Sequence, residues 1–398
     1  MHEGMTEPSD ISMTGQAGHE DPAVIESSLA SNVPQSMAPP EEIVSTVAPA
    51  TTSTEQEDHV MNEPEGLAHA AYPPDLEIGT DSSDYSSHDN DSTLGSSLEG
   101  STSSVRSSIY HYLEENGRTY HAYNPGKYML PNDTREQDRL DLQHHSFKIM
   151  LDGKLNLAPI SDPKRVLDLA TGTGIWAVEF AQEHPDAAVL GTDLSPIQPE
   201  FVPANCRFEI SDAEEDWGFS QPFDYIHARA IVTCFKNNRA IVQKIFENLV
   251  PGGYFELQDP ALPMLCDDGT LDGTPLKEWN ENLVHSMSLI GRNLRDSQNW
   301  GGYMREAGFV DVVEHRVYVP VNPWARGKKN KLLGAISQQN LLEGVESMSK
   351  AAFTRILQWT PERLDELLQG VRTNLLDKDV HAYGIVYFAY GRKPEVVA

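Results

Sequence analysis

"VLDLATGTGIWAVEF", residues 166–180, passes from an apolar run through a glycine turn into an apolar helix start within fifteen residues. A strand that is apolar at successive positions, rather than at alternate ones, suits a parallel sheet covered on both faces. Gly172 and Gly174 then permit backbone angles, and a close approach of a ligand, that a Cβ would block. The helix that follows aims its free N–H groups and the positive end of its dipole at the same turn, which favours an anionic group there. Strand, glycine turn and helix in that order predict the opening βαβ unit of a doubly wound α/β sheet, whose ligands sit at the carboxyl ends of the strands.

Working outward, "AAVLGTDL" (187–194), "CRFEISD" (206–212), "FDYIHARA" (223–230) and "YFELQD" (254–259) read as further strands. "GIWAVEFAQEH" (174–184), stopped by Pro185, and "NNRAIVQKIFENLV" (237–250) read as helices between them. Residues 275–294 and 299–309 predict helices, and 310–321 alternates as a strand with one exposed face. Residues 324–376 form a helical insertion, and 383–391 is a last strand placed to pair antiparallel with 310–321. Upstream, Leu140, Phe147, Met150 and Leu151 fall at helical intervals behind an Asp133 or Thr134 cap. The reading is a seven-stranded, mostly parallel, doubly wound sheet with a helical insertion before its last strand. It divides the chain into an arm (1–108), an N-terminal helical cap (109–160) and the sheet domain (161–398).

Charge separates the arm from the rest. Residues 1–105 hold 20 of the 60 acidic residues and no lysine or arginine, the first basic residue being Arg106. Rich in Ser, Thr and Pro and without apolar periodicity, this stretch lacks the surface to offset its chain entropy and reads as disordered. Cys206, Cys234 and Cys266 have no metal-ligand spacing, which fits thiols in a reducing compartment. No apolar run approaches the roughly 20 residues of a membrane span, and the acidic N-terminus is unlike a signal peptide. An acidic surface argues against a phosphate-backbone interface, so no direct nucleic-acid contact and no membrane contact are expected. The basic group Arg326, Lys328, Lys329 and Lys331 reads either as a solvated loop or as an import signal.

Asp193, nineteen residues after Gly174, ends the second strand, where it can accept from ribose hydroxyls. Gly172-x-Gly174-x-x-Ala177 alone also matches a nicotinamide dinucleotide fingerprint. Three features turn the choice. Asp168, four residues before Gly172, can hold an ammonium group but would repel a pyrophosphate. Asp212 closes the third strand, where it can accept from an adenine amino group. Pro251-Gly252-Gly253 makes a sharp turn into the strand that carries Glu256 and Asp259.

Taken together, these residues resemble a class I S-adenosylmethionine-dependent methyltransferase. "EENGRTYHAY" (114–123), "YMLPNDTREQDRLDLQH" (128–144), "DLSPIQP" (193–199), "PGGYFE" (251–256), "DDGTLDGTPLKEW" (267–279) and "HAYGIVYFAYGRKP" (381–394) narrow the resemblance to the LaeA-like fungal methyltransferases. The turn "DLATGTG" departs from the regulator's usual pattern, which has a cysteine and an extra glycine. The resemblance implies S-adenosylmethionine as cofactor, held by Asp168, Ala170, Gly172, Thr173, Gly174, Asp193, Leu194, Asp212, Ala213 and Arg229. It also implies action in the nucleus, with the cytoplasm as a second site, and velvet-type regulatory proteins as partners in secondary metabolism and development.

The acceptor, protein or small molecule, is expected near Tyr128, His144 and Trp279, with Arg139 beside them as an anion holder. His227, Tyr128, His144 and Glu256 are candidate bases, although each also reads as an ordinary buried hydrogen-bonding residue, and no catalytic base is assigned. Two functions of different class remain open on the residues: a working methyltransferase, and a non-catalytic module that senses the cofactor and binds regulatory partners.

Overall fold

The structure is a computed structural model and describes residues 73, 75–79, 112–115 and 117–396. A short hairpin, β1 (Leu113–Glu115) and β2 (Arg118–Tyr120), opens the folded part, turned by Gly117 at φ +71°. It lies in the first part of the expected cap (109–160), ahead of the helix expected from Asp133 or Thr134, and it escapes sequence reading because three-residue strands carry no readable periodicity. Helix α1 (Thr134–Met150) follows, with Asp133 as its cap accepting from the Glu136 N–H at 3.1 Å. The guanidinium of Arg118 forks onto the Asp133 carboxylate and donates its remaining Nη1 to Ser347 Oγ at 2.7 Å, tying hairpin, α1 and the insertion together.

The sheet elements then run β3 (Arg165–Leu169), α2 (Ile175–Glu183), β4 (Ala188–Asp193), β5 (Cys206–Ile210), β6 (Phe223–Arg229), α3 (Asn238–Glu247) and β7 (Leu249–Leu265). After them come α4 (Pro275–Leu289), α5 (Trp300–Ala307), β8 (Val310–Pro320), α6 (Lys328–Ser349), α7 (Pro361–Leu376) and β9 (Tyr383–Arg392). The order across the sheet is β5-β4-β3-β6-β7-β9-β8, and β9 alone runs antiparallel to its neighbours β7 and β8. The expected seven strands are all present, and the strand order reverses between β3 and β6, the switch point at which a ligand cleft opens.

Both faces are covered, which is why β3 is apolar at successive positions. Leu167 and Leu169 pack with Ile226, Val242, Ile245 and Phe255 on the α3 and α5 side. Val166 packs with Trp176, Phe180, Val189 and Tyr225 on the α2 side. The insertion has a core of its own around Trp279, Phe353, Leu368 and Val371, with a π-helical segment, Lys350–Ile356, continuing α6. β7 is longer than the six residues expected, and its extension past Asp259 carries Pro260 and Leu262 to the cleft.

The described residues, 73 to 396, fall within one compact unit that takes in both cap and sheet domain. The arm expectation lies outside the described residues except at 73 and 75–79, and there the structure differs from it. Leu76 is 1% exposed and packs against Trp324, Ala325 and Tyr383. Among the described residues no helix is long and apolar enough to cross a membrane.

Candidate cofactor and acceptor site

A cavity of about 230 Å3 opens at the carboxyl ends of β3, β4 and β6. Its floor is the turn after β3. Ala170 and Gly172 both adopt left-handed φ, +55° and +60°, and the Thr171 N–H donates to Thr192 O at 2.9 Å. Asp193 fixes the turn from the neighbouring strand: its Oδ2 accepts from Gly172 N and its Oδ1 from Ser195 N, each at 2.9 Å. Burial pushes its carboxyl up to about 6, although these N–H donors favour the carboxylate. Ala170, Gly172, Thr173, Asp193 and Leu194 line the cavity as expected. Gly174 is not among the lining residues. It begins α2 at φ +80°, and a Cβ there would stand 2.4 Å from Phe208 Cζ, so close packing explains this glycine.

Asp168 is 2% exposed and already engaged. Thr171 Oγ1 donates to its Oδ2, and His227 Nδ1–H donates to its Oδ1 at 2.8 Å. The His227 ring stacks on Trp176, with centroids 3.7 Å apart, and its buried Nε2 has no hydrogen-bond partner among the described residues. Its neighbour Arg229 lines the cavity with its guanidinium 5.0 Å over the Phe147 ring and no hydrogen bond among the described residues. Burial lowers Arg229 to about 10, with Asp168 the first of the nearby carboxylates opposing that shift, so it stays charged at neutral pH.

The loop after β2 covers the other end as a lid. Lys127 Nζ and, at 3.0 Å, Asn124 Nδ2 both donate to Asp212 Oδ2, while Asp212 Oδ1 accepts from Glu214 N at 2.9 Å. The buried Arg292 donates to the Lys127 carbonyl at 2.5 Å and so holds the lid by its backbone as well. Sequence reading places Asp212 and Ala213 at the cavity, where they are, but does not foresee the lid that shares the Asp212 carboxylate.

Beyond the lid residue Tyr128 the cavity turns apolar, walled by Met129, Val232, Leu262, Leu283, Met287 and Met348. One ion pair interrupts that wall: Arg139 donates to both Glu136 oxygens and, at 2.9 Å, to Asn340 Oδ1. Both sides of this pair are under 10% exposed and already satisfied, so Arg139 is no free anion holder. Two expected acceptor residues are elsewhere. His144, fully buried, lies with Nε2 3.1 Å from Glu179 Oε2 behind α1, and Trp279 donates Nε1 to Ser349 Oγ at 2.7 Å inside the insertion core. Glu256 is structural too, accepting from the backbone N–H groups of Leu157 at 2.9 Å and Ala158 at 2.7 Å. The lid pair Lys127–Asp212 and Arg292 escape sequence reading, since nothing local marks a contact across 85 or 165 residues.

Comparison with known proteins matches residues 142–315 to the Methyltransferase domain family. The chain is 38% identical over 303 residues to the methyltransferase pytC of Aspergillus terreus, covering 74% of this chain and 92% of that one. The chain belongs to the LaeA-like methyltransferase family. It is 37% identical over 308 residues to the secondary metabolism regulator laeA of Aspergillus flavus, covering 75% of this chain and 82% of that one. With the protein-methionine methyltransferase laeA of Emericella nidulans it shares 36% identity over 290 residues, 71% of this chain and 77% of that one. As a class I fold of this family, the protein is an S-adenosylmethionine-dependent methyltransferase, and its donor set fits that cofactor. A cationic Arg229 with no hydrogen bond among the described residues suits a carboxylate, Asp193 suits a ribose, and Gly172 leaves backbone open between them.

Proposed function

We propose that Arg229 and the Ala170–Thr173 turn hold the methionine end of S-adenosylmethionine, Asp193 and Leu194 the ribose, and Asp212 with Ala213 the adenine. The single observation carrying this is one cavity that joins all these groups and continues into the apolar wall beneath Tyr128. When bound, the cofactor supplies an electrophilic methyl group, and the chain's own residues orient the partners and keep the site dry. An apolar wall suits an apolar acceptor group, either a thioether side chain or a hydrophobic metabolite. His227, locked to Asp168 and packed under Trp176, positions the floor of the site and is not assigned as a base. Relatives named as regulators of secondary metabolism support the same role here; its exercise in the nucleus with velvet-type proteins as partners is proposed from the sequence resemblance alone.

Titration calorimetry of S-adenosylmethionine into the full chain tests the binding assignment, with Asp193→Ala beside it. Losing hydrogen bonds to a charged group costs roughly 1.5–3 kcal/mol, so the variant binds at least about tenfold more weakly. A folded wild-type chain that takes no cofactor overturns the assignment. Methyl-labelled cofactor incubated with fungal extract then separates the two functions. Label in protein or in solvent-extractable material demonstrates turnover, whereas tight binding with no label transferred favours the sensing module.

A further inference from the structure

The docked segment 75–79 is held like a bound peptide. Ile78 and Ala325 form an antiparallel bridge, Arg326 N donates to Glu77 O at 2.5 Å, and Gly79 N donates to Trp324 O at 2.8 Å. Asn330 Nδ2 adds a bond to Asp75 O at 2.8 Å, and Leu76 fills the apolar slot between Trp324 and Tyr383. A Cβ on Gly79 would meet Trp324 O at 2.9 Å, so the site also requires glycine after Ile78.

The surface beneath is charged to match. Helix α6 opens with Lys328, Lys329 and Lys331, has no acid in its first turn and no side-chain cap. Its dipole therefore adds to the lysines rather than opposing them. Glu77 meets Arg326 at 3.1 Å. Lys331 and Lys378 flank the end of the segment at Gly79 and form no ion pair among the described residues.

The hold is modest. Apart from one buried leucine, it consists of the bridge with its two backbone bonds, the Asn330 bond and an ion pair in which both side chains are more than 60% exposed and so weakly held. We propose that the Trp324–Arg326 segment and the first turn of α6 recognise an extended strand of a partner protein with the pattern acid–Leu–acid–aliphatic–Gly. Residues 75–79 occupy the site in cis until such a strand replaces them, a mode of recognition in which main-chain bonds give affinity and side-chain slots give specificity.

The probe is a fluorescein-labelled peptide of residues 70–84, titrated into the full-length protein. Leu76→Asp empties the cis site, and the peptide binds this variant. The wild-type chain, protected by a tethered competitor at roughly millimolar effective concentration, binds it at least about tenfold more weakly. A peptide carrying Gly79→Val fails to bind, and Arg326→Glu weakens binding that Glu77→Arg in the peptide restores. Equal binding to wild type and Leu76→Asp, or no binding to a Leu76→Asp chain whose melting and cofactor titration are unchanged, overturns the proposal.

Discussion

Ala170 carries a side chain into a conformation that glycine enters freely. At φ +55° the Cβ costs roughly 1–2 kcal/mol, part of which glycine gives back through its freer unfolded chain. Ala170→Gly therefore stabilises the protein by about 1 kcal/mol, read as a higher denaturant midpoint with an unchanged slope. Asp193, the last residue of β4, gives a prediction in pH. Its carboxyl, raised by burial to about 6, accepts from a ribose only when ionised, so cofactor affinity falls as pH drops through about 6. Calorimetric titrations between pH 5 and 8 check this, and an affinity flat across that range removes Asp193 from the ribose. Without cofactor the sign is opposite. A carboxyl that holds its proton more tightly folded than unfolded contributes stability as pH falls from about 6 towards 4. Gly172 and Asp193 were legible because turn chemistry is local. His144 and Trp279 were not, because a histidine on a helix and a tryptophan in an insertion look alike whether they face a ligand or a core.

At the level of elements, the hairpin, α1 and α6 meet at one guanidinium. Arg118 reaches both partners at once: its fork on Asp133 and its bond to Ser347 disappear together in Arg118→Ala. The half-buried Asp133 then keeps its cap bond to Glu136 N but loses its charge partner. A loss of about 2 kcal/mol follows, measured as unfolding free energy, and a change below about 0.5 kcal/mol shows the corner to be held by packing alone. The long elements were readable from pattern: β3 and β6 from runs of apolar residues, α3 and α7 from their helical spacing. The β1–β2 hairpin was not, since three residues make no period, and neither was the extension of β7, whose Pro260 and Pro263 read as breakers.

For the whole molecule, the acid side of stability rests partly on His144. Burial, reinforced by the charge on Arg229, lowers it to about 4. Such a histidine is neutral in the folded protein and charged when unfolded below about 6.5, so its share of stability is lost as pH falls from about 6.5 to 4. At about 1.4 kcal/mol per unit, the full loss is about 3 kcal/mol. His144→Gln flattens this limb, so the gap in melting temperature between pH 7.5 and pH 5 narrows in the variant. An undiminished gap assigns the acid sensitivity to other groups. The doubly wound layout and the antiparallel pairing of β8 with β9 followed from the alternation of elements along the chain. The lid on Asp212 and the seat of Leu76 beside Trp324 did not, because each joins segments that share no local pattern.

The one antiparallel strand also has a consequence for synthesis. β9 lies between β7 and β8, and those two strands have no ladder with each other. A nascent chain that has reached residue 382 therefore holds β8 beside an open gap, with the free edge of β7 facing it. Exposed edges of this kind recruit other chains. Until residues 383–392 pair, the edges of β7 and β8 both stay open to strands of other chains.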